Sequence, residues 1–235
     1  MRQYVACAVA AACVSGAAAA DVVFSDTEFA TAGAQGWAVE SVLTGGASSV
    51  TVSQASNGNP GLARRVEQTV AASSGSSITT LHRYGTTAAT IYTPSTQGAI
   101  ASLNFTIDHR SGFGATPAVA RQFVHVAFKQ GTVLYIGPGI DTGGGALGFS
   151  TFSLSNLTAA DFAAVGGAGS PNFSASGGNI RFGFITRSTY DPQLFATSRV
   201  DYDNWSVRVV QVPSPAGGAL AMMGLIAAGR KRRRG

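Results

Sequence analysis

The chain has 235 residues, 45% hydrophobic and only 11% charged, and Lys129 is its single lysine ahead of a C-terminal basic cluster. The formal charge of +5 belongs to the ends: of the 16 basic residues, Arg2 and the five at 230–234 lie outside residues 21–211, leaving ten against all 11 acidic groups. The near-neutral middle excludes a basic nucleic-acid surface, so no nucleic-acid partner is expected.

The chain begins Met1-Arg2-Gln3-Tyr4, continues in an apolar run to Val14, and then reads Ser15-Gly16-Ala17-Ala18-Ala19-Ala20. One cation, a short apolar stretch and small residues before Asp21 predict a signal peptide over 1–20, with the Sec machinery and signal peptidase as partners. Cys7 and Cys13, the two cysteines, both lie within it. Residues 21–211 therefore have no disulfide, thiolate metal site or cysteine nucleophile.

From Asp21 onward, period-two alternation punctuated by turn residues predicts an all-β domain. Strands are expected at Asp21–Phe29, Trp37–Leu43, Ser49–Gln54, Arg65–Val70, Ser77–His82, Thr90–Tyr92, Ala99–Asp108, Gln122–Gln130, Thr132–Ile136, Phe149–Leu154, Asn179–Thr186 and Val200–Val210. Leu103/Phe105/Ile107, Val124/Val126/Phe128 and Ile180/Phe182/Phe184 each line one face, with polar residues opposite. One buried and one wet face per strand suits antiparallel sheets stacked as a sandwich. A helical turn is expected at Thr158–Val165, where Thr158 and Asp161 approximate a capping box.

Motifs for catalysis are missing. His82, His109 and His125 lie on predicted strands or at their ends, and Asp108 and His109, as adjacent strand residues, point to opposite faces. There is no G-x-S-x-G elbow, no H-E-x-x-H and no E-x-D-x-E run, and the three glutamates Glu28, Glu40 and Glu67 are far apart. The expectation is a protein without enzymatic activity. Tyr84 and Tyr190, beside loop residues, are the candidates for stacking on sugar faces.

The closing segment Asp201-Tyr202-Asp203-Asn204-Trp205-Ser206-Val207-Arg208-Val209 resembles the last strand of jelly-roll domains in bacterial surface proteins and carbohydrate-binding modules. By parity Asp201, Asp203, Trp205 and Val207 share a face, which directs Asp203 toward the apolar side. The resemblance implies a calcium ion near the chain ends, held by Asp203 with Glu28 and assisted by Asp201. The alternative is an Asp203 carboxylate that accepts main-chain hydrogen bonds at a bulge.

The chain ends Val212-Pro213-Ser214-Pro215, then 14 uncharged residues Ala216–Gly229, then Arg230-Lys231-Arg232-Arg233-Arg234-Gly235. As a helix the apolar run would span about 21 Å, against a hydrocarbon core of about 30 Å. A Pro-x-Pro motif, a short apolar helix and an arginine cluster resemble the PEP-CTERM sorting signal of exported bacterial proteins, with Ser214 in place of the family's Glu. The resemblance implies transient residence in the inner membrane, processing by an exosortase, and delivery to the envelope or an extracellular polysaccharide matrix.

The expected architecture is thus a signal peptide (1–20), a jelly-roll-like β-sandwich (21–211) and a sorting tail (212–235). The expected role is structural or adhesive at the cell surface. A secreted carbohydrate-binding module or carbohydrate-active enzyme is the alternative.

Overall fold

The computed structural model describes residues 21–29, 36–44, 48–71, 74–111, 122–142, 148–167, 169–189 and 197–213. The strands are β1 (Val22–Asp26), β2 (Trp37–Thr44), β3 (Ser49–Ala55), β4 (Ala63–Thr69), β5 (Ser77–Tyr84), β6 (Ile100–Ser111), β7 (Gln122–Gln130), β8 (Val133–Asp141), β9 (Ser150–Leu157), β10 (Ala163–Ala164), β11 (Ile180–Thr189) and β12 (Thr197–Gln211). They pair antiparallel throughout and form two sheets. The first has the order β3-β4-β12-β6-β9, with β1 on β12; the second runs β10-β8-β7-β11-β5-β2. The antiparallel two-layer sandwich expected from the alternation is present.

β12 holds the first sheet together. Thr197–Tyr202 pairs with β4 on one side, Val22–Asp26 pairs with Val209–Trp205 farther along, and β6 runs beside both halves. The inner faces meet over Leu103, Phe105, Ile107, Val124, Val126, Phe128, Ile180, Phe182, Phe184, Trp205, Val207 and Val209, all 1% exposed or less. Side chains of this size contribute about 1.5–3 kcal/mol each when buried. The rings pack in tilted and edge-on pairs: Phe128 lies 4.8 Å from Phe162, and Trp205 lies 5.0 Å from Trp37.

Toward β4 the core turns polar. The Gln68 amide donates to Thr80 at 3.1 Å and Thr186 at 3.0 Å, and its oxygen accepts from Gln122 at 2.9 Å and Ser188 at 2.7 Å. The Tyr202 hydroxyl, its proton affinity pushed up by burial, donates to Gln122 at 3.1 Å. Such a layer is stable only when its members find partners, because an unmade buried hydrogen bond costs about 1–3 kcal/mol.

Several local expectations are corrected. Thr158 and Asp161 do form a capping box, but over a single 3-10 turn, Ala159–Asp161, after which Ala163–Ala164 joins β8 as a strand instead of continuing a helix. Residues 90–92 form no strand; a 3-10 turn ends at Thr90, and Tyr92 makes one isolated bridge to Ile180. Pro94–Gln97 is a short helix that the alternation did not predict.

The flanking apolar elements need correction too. Among the described residues no helix is long and apolar enough to cross a membrane. The leader 1–20, Pro215 and the cluster Arg230, Lys231, Arg232, Arg233 and Arg234 lie outside the described residues, and Val212 and Pro213 belong to no strand. The membrane-anchored architecture is not carried forward. The same holds for the partners it implied (inner membrane, Sec machinery, signal peptidase, exosortase) and for the envelope location.

Candidate functional site

Two places concentrate polar chemistry: the closing strand on the first sheet and the outer face of the second. On the closing strand a bulge overturns the parity expected of residues 201–209. The β12–β6 register shifts between Asp203 and Ser206, and Asn204 adopts a φ of 47°, a left-handed conformation that Asn tolerates better than most residues. Before the bulge Val200 and Tyr202 face the core; after it Trp205, Val207 and Val209 do. Asp201 and Asp203 therefore lie on the outer side of the sheet, yet both are 0% exposed.

Each is buried by different neighbours. Asp201 accepts two hydrogen bonds from Arg65, at 2.8 and 3.0 Å, and one from Arg110 at 3.1 Å. It is an ion-pair centre, remote in role from the grouping expected with Asp203. The Asp203 carboxylate accepts from the main-chain N–H of Asn59 and, at 2.8 Å, from that of Asn204. Asp108, opposite it in register, accepts from Thr151 Oγ1 at 2.6 Å and Asn204 Nδ2 at 2.8 Å. Burial raises the proton affinity of Asp203, and the nearby Asp108 and Glu28 carboxylates add to the rise. Glu28 and Asp203 thus share one neighbourhood, but no trio of His, Asp or Glu among the described residues is arranged to hold a metal.

Tyr84 is no surface platform: it is 4% exposed, donates to the Ser25 carbonyl at 3.1 Å and packs 4.8 Å from Trp205. Tyr190 lies outside the described residues.

The second place follows from strand register. Across the outer face of the second sheet, Leu134, Lys129 and Arg181 stand in one row; Ile136, Ala127, Gly183, Arg83 and Ala38 in the next; and Gly139, His125, Ile185, Leu81 and Glu40 in a third. The middle row is made of small residues at its centre. At Gly183 β11 and β5 approach so closely that a Cβ would collide with the His82 carbonyl oxygen. Leu81, Ala127 and Ile185, with Leu134 and Ile136 against them, form an apolar cluster separate from the main core.

Charge bridges this floor. Lys129 Nζ on β7 meets Glu40 Oε2 on β2 at 2.6 Å, crossing β11 and β5, and Arg83 Nε lies 3.4 Å from Glu40 Oε1. On a flat sheet three strand spacings would separate those backbones by roughly 14 Å, so both side chains reach across the face, which is concave between them. Hydrogen bonding from Lys129 lowers the Glu40 pKa, with further help from Lys129 and Arg83 charge and against a smaller opposing effect of burial. The dish contains a groove of about 630 Å³ lined by Glu40, Thr79, Leu81, Lys129, Leu134 and Val165, among others. Val133 and Val165 are exposed on its rim, 39% and 48%. A second hollow of about 290 Å³ shares Glu40 and Lys129 and adds Arg83 and Arg181. The sequence held a signal for these residues. Lys129 and Arg181 alternate with Phe128, Ile180 and Phe182 and so had to lie on the outer faces, but which strands stood side by side was not readable.

No protein-family model and no curated protein matches the chain. Solved structures that resemble it include a carbohydrate-binding module of the β-sandwich superfamily (9% identity, TM-score 0.44, covering 77% of this chain and 61% of that one). Others are an arabinose-bound α-L-arabinofuranosidase (12%, 0.41, 83% and 27%) and an exo-β-agarase (12%, 0.39, 75% and 24%). The chain spans about three fifths of the first and about a quarter of the other two. The expectation of a protein without enzymatic activity rested on absent motifs alone and is not carried forward. The structural or adhesive role is likewise not carried forward. The chain is a two-sheet, jelly-roll-like β-sandwich.

Proposed function

We propose that this domain binds carbohydrate, and that the dished outer face of the second sheet is where it does so. The observation that carries the reading is the groove: the apolar side chains of Leu81, Val133, Leu134 and Val165 stand beside the charged Glu40 and Lys129, with Arg83 on the adjoining hollow. A pyranose ring offers apolar C–H faces and a girdle of hydroxyls, and that surface asks for a pocket mostly apolar below with a few placed polar groups. Phe123, in register with Arg187 and Thr79, adds a half-buried aromatic to the same face. Full-length protein should bind soluble polysaccharides saturably in affinity electrophoresis. Thr79→Trp, which fills the groove, should weaken binding at least tenfold without lowering the melting temperature. Absence of binding across a panel of neutral and acidic polysaccharides would defeat the reading.

We also propose that calcium binds beside Asp203. Supporting this, Asp203 is fully buried with two further carboxylates, Glu28 and Asp108, raising its proton affinity, and a cation would cancel that repulsion. Glu28 and Asp203 would supply charge and main-chain carbonyls the rest of the six to eight oxygens calcium takes. EDTA should then lower the melting temperature by about 5 °C or more, as loss of a tightly bound ion does, and Glu28→Gln should abolish the response. A melt indifferent to EDTA means that the Asn59 and Asn204 donors suffice.

A further inference from the structure

The rim of the smaller hollow carries three cations, Arg83, Lys129 and Arg181, and a single carboxylate, Glu40. Glu40 already engages two of the three, Lys129 at 2.6 Å and Arg83 at 3.4 Å. Arg181 is left over. It stands beside Lys129 in register, and its Nη1, buried, has no hydrogen-bond partner among the described residues. A buried guanidinium nitrogen without an acceptor is unfavourable, because a lost charged hydrogen bond costs more than a neutral one. Exposed Arg187 lies on the same face of the same strand, so that face carries Arg83, Lys129, Arg181 and Arg187 against the carboxylates Glu40 and Asp141, although residues 21–211 are close to neutral overall.

From this we infer that the hollow, which shares Glu40 and Lys129 with the groove, selects acidic polysaccharide, with Arg181 receiving the carboxylate of a uronic acid residue. The inference rests on the carbohydrate-binding reading and narrows its ligand class. A carboxylate is favoured over a sulfate ester on the geometry already present: the hollow holds one carboxylate, that of Glu40, between an arginine and a lysine. The planar guanidinium fork matches the two oxygens of a second. Glu40 then acts as an internal competitor for Lys129 and Arg83, and the ligand adds to that ion pair or displaces it.

The test uses the full-length protein, with polygalacturonate, a neutral dextran and dextran sulfate as ligands, titrated at low and at moderate salt. Polygalacturonate should bind at least tenfold tighter than dextran at low salt and lose most of that margin as salt screens the rim. Arg181→Gln should remove the margin while leaving dextran binding and the melting temperature unchanged. Glu40→Gln, which frees two cations, should tighten polygalacturonate binding about threefold or more, and this second variant decides the matter if Arg181→Gln does not fold. Equal binding of dextran and polygalacturonate would overturn the inference while leaving the carbohydrate reading intact. Dextran sulfate binding as tightly as polygalacturonate would overturn carboxylate selection. Failure of all three polymers to bind would sink the carbohydrate reading itself.

Discussion

Replacing Asp201 with alanine should destabilise the domain by about 3–5 kcal/mol, the range found when one partner of a buried ion pair is removed. The carboxylate is fully buried and receives three charge-assisted hydrogen bonds, two from Arg65 and one from Arg110. Its loss leaves two guanidinium groups, from β4 and β6, facing each other across β12, with side chains only 26% and 15% exposed. Water reaches Arg65 in part and screens some of that repulsion, which places the expected value toward the lower end. The effect does not stop at the strand, since Arg110 also donates to the Asn57 carbonyl at 2.9 Å and lies 4.6 Å over the Phe149 ring. Asp201→Asn, which keeps an acceptor but no charge, should cost less. The paired change Asp201→Leu with Arg65→Met should recover part of the loss, because two apolar groups need no partners. Urea titrations of the variants check this, and a loss below about 1 kcal/mol for Asp201→Ala would show that the pair contributes little.

The same residue shows where sequence reading succeeds and where it stops. Period two in Leu103–Ile107, Val124–Phe128 and Ile180–Phe184 identified three strands that meet in the core, because alternation over a half-buried strand is local information. It failed at residues 201–205, where one left-handed residue, Asn204, inverts the facing of everything before it. A bulge is set by the partner strand and the loop beside it, here β6 and the hydrogen bonds of Asn59, and neither is visible in β12 itself. The groove was hidden for a related reason. Lys129, Arg181, Arg83 and Glu40 each read as outward-facing polar positions, but they lie as much as 141 residues apart, and only the order β7-β11-β5-β2 gathers them. The exposure expected of Tyr84 from its loop neighbours fared worse. Tyr84 ends β5 directly opposite Trp37 on β2, and its ring packs on Trp37 in the core.

Acid should destabilise the domain through His82 well before the carboxylates titrate. The imidazole is wholly buried, stacked on Phe184 at a centroid distance of 4.6 Å; Arg64 Nε donates to its Nδ1 at 3.2 Å, and Nε2 lies 3.1 Å from Thr186 Oγ1. With Nδ1 accepting, the neutral ring carries its proton on Nε2 and donates to Thr186. A second proton would replace the accepted hydrogen bond with two cations in contact. Burial, and then the charge of Arg64, hold the His82 pKa well below the usual 6.5. Arg64 is itself pulled down to about 10 by burial, against the opposing charge of Asp26. In the unfolded chain the histidine takes up a proton as pH falls through about 6.5, whereas in the folded state it does not. Stability is therefore full above that value and declines below it, by up to about 1.4 kcal/mol per pH unit, until the depressed folded pKa is reached. His109 and His125, also held low by burial, act in the same direction but are partly solvated. Asp203, with its raised pKa, acts in the opposite direction in the carboxylate range. His82→Gln, whose amide can accept from Arg64 and donate to Thr186, should reduce the stability lost between pH 7 and pH 5 by roughly 2 kcal/mol. Parallel stability-versus-pH curves for the two proteins would show that His82 is not the group that acid titrates.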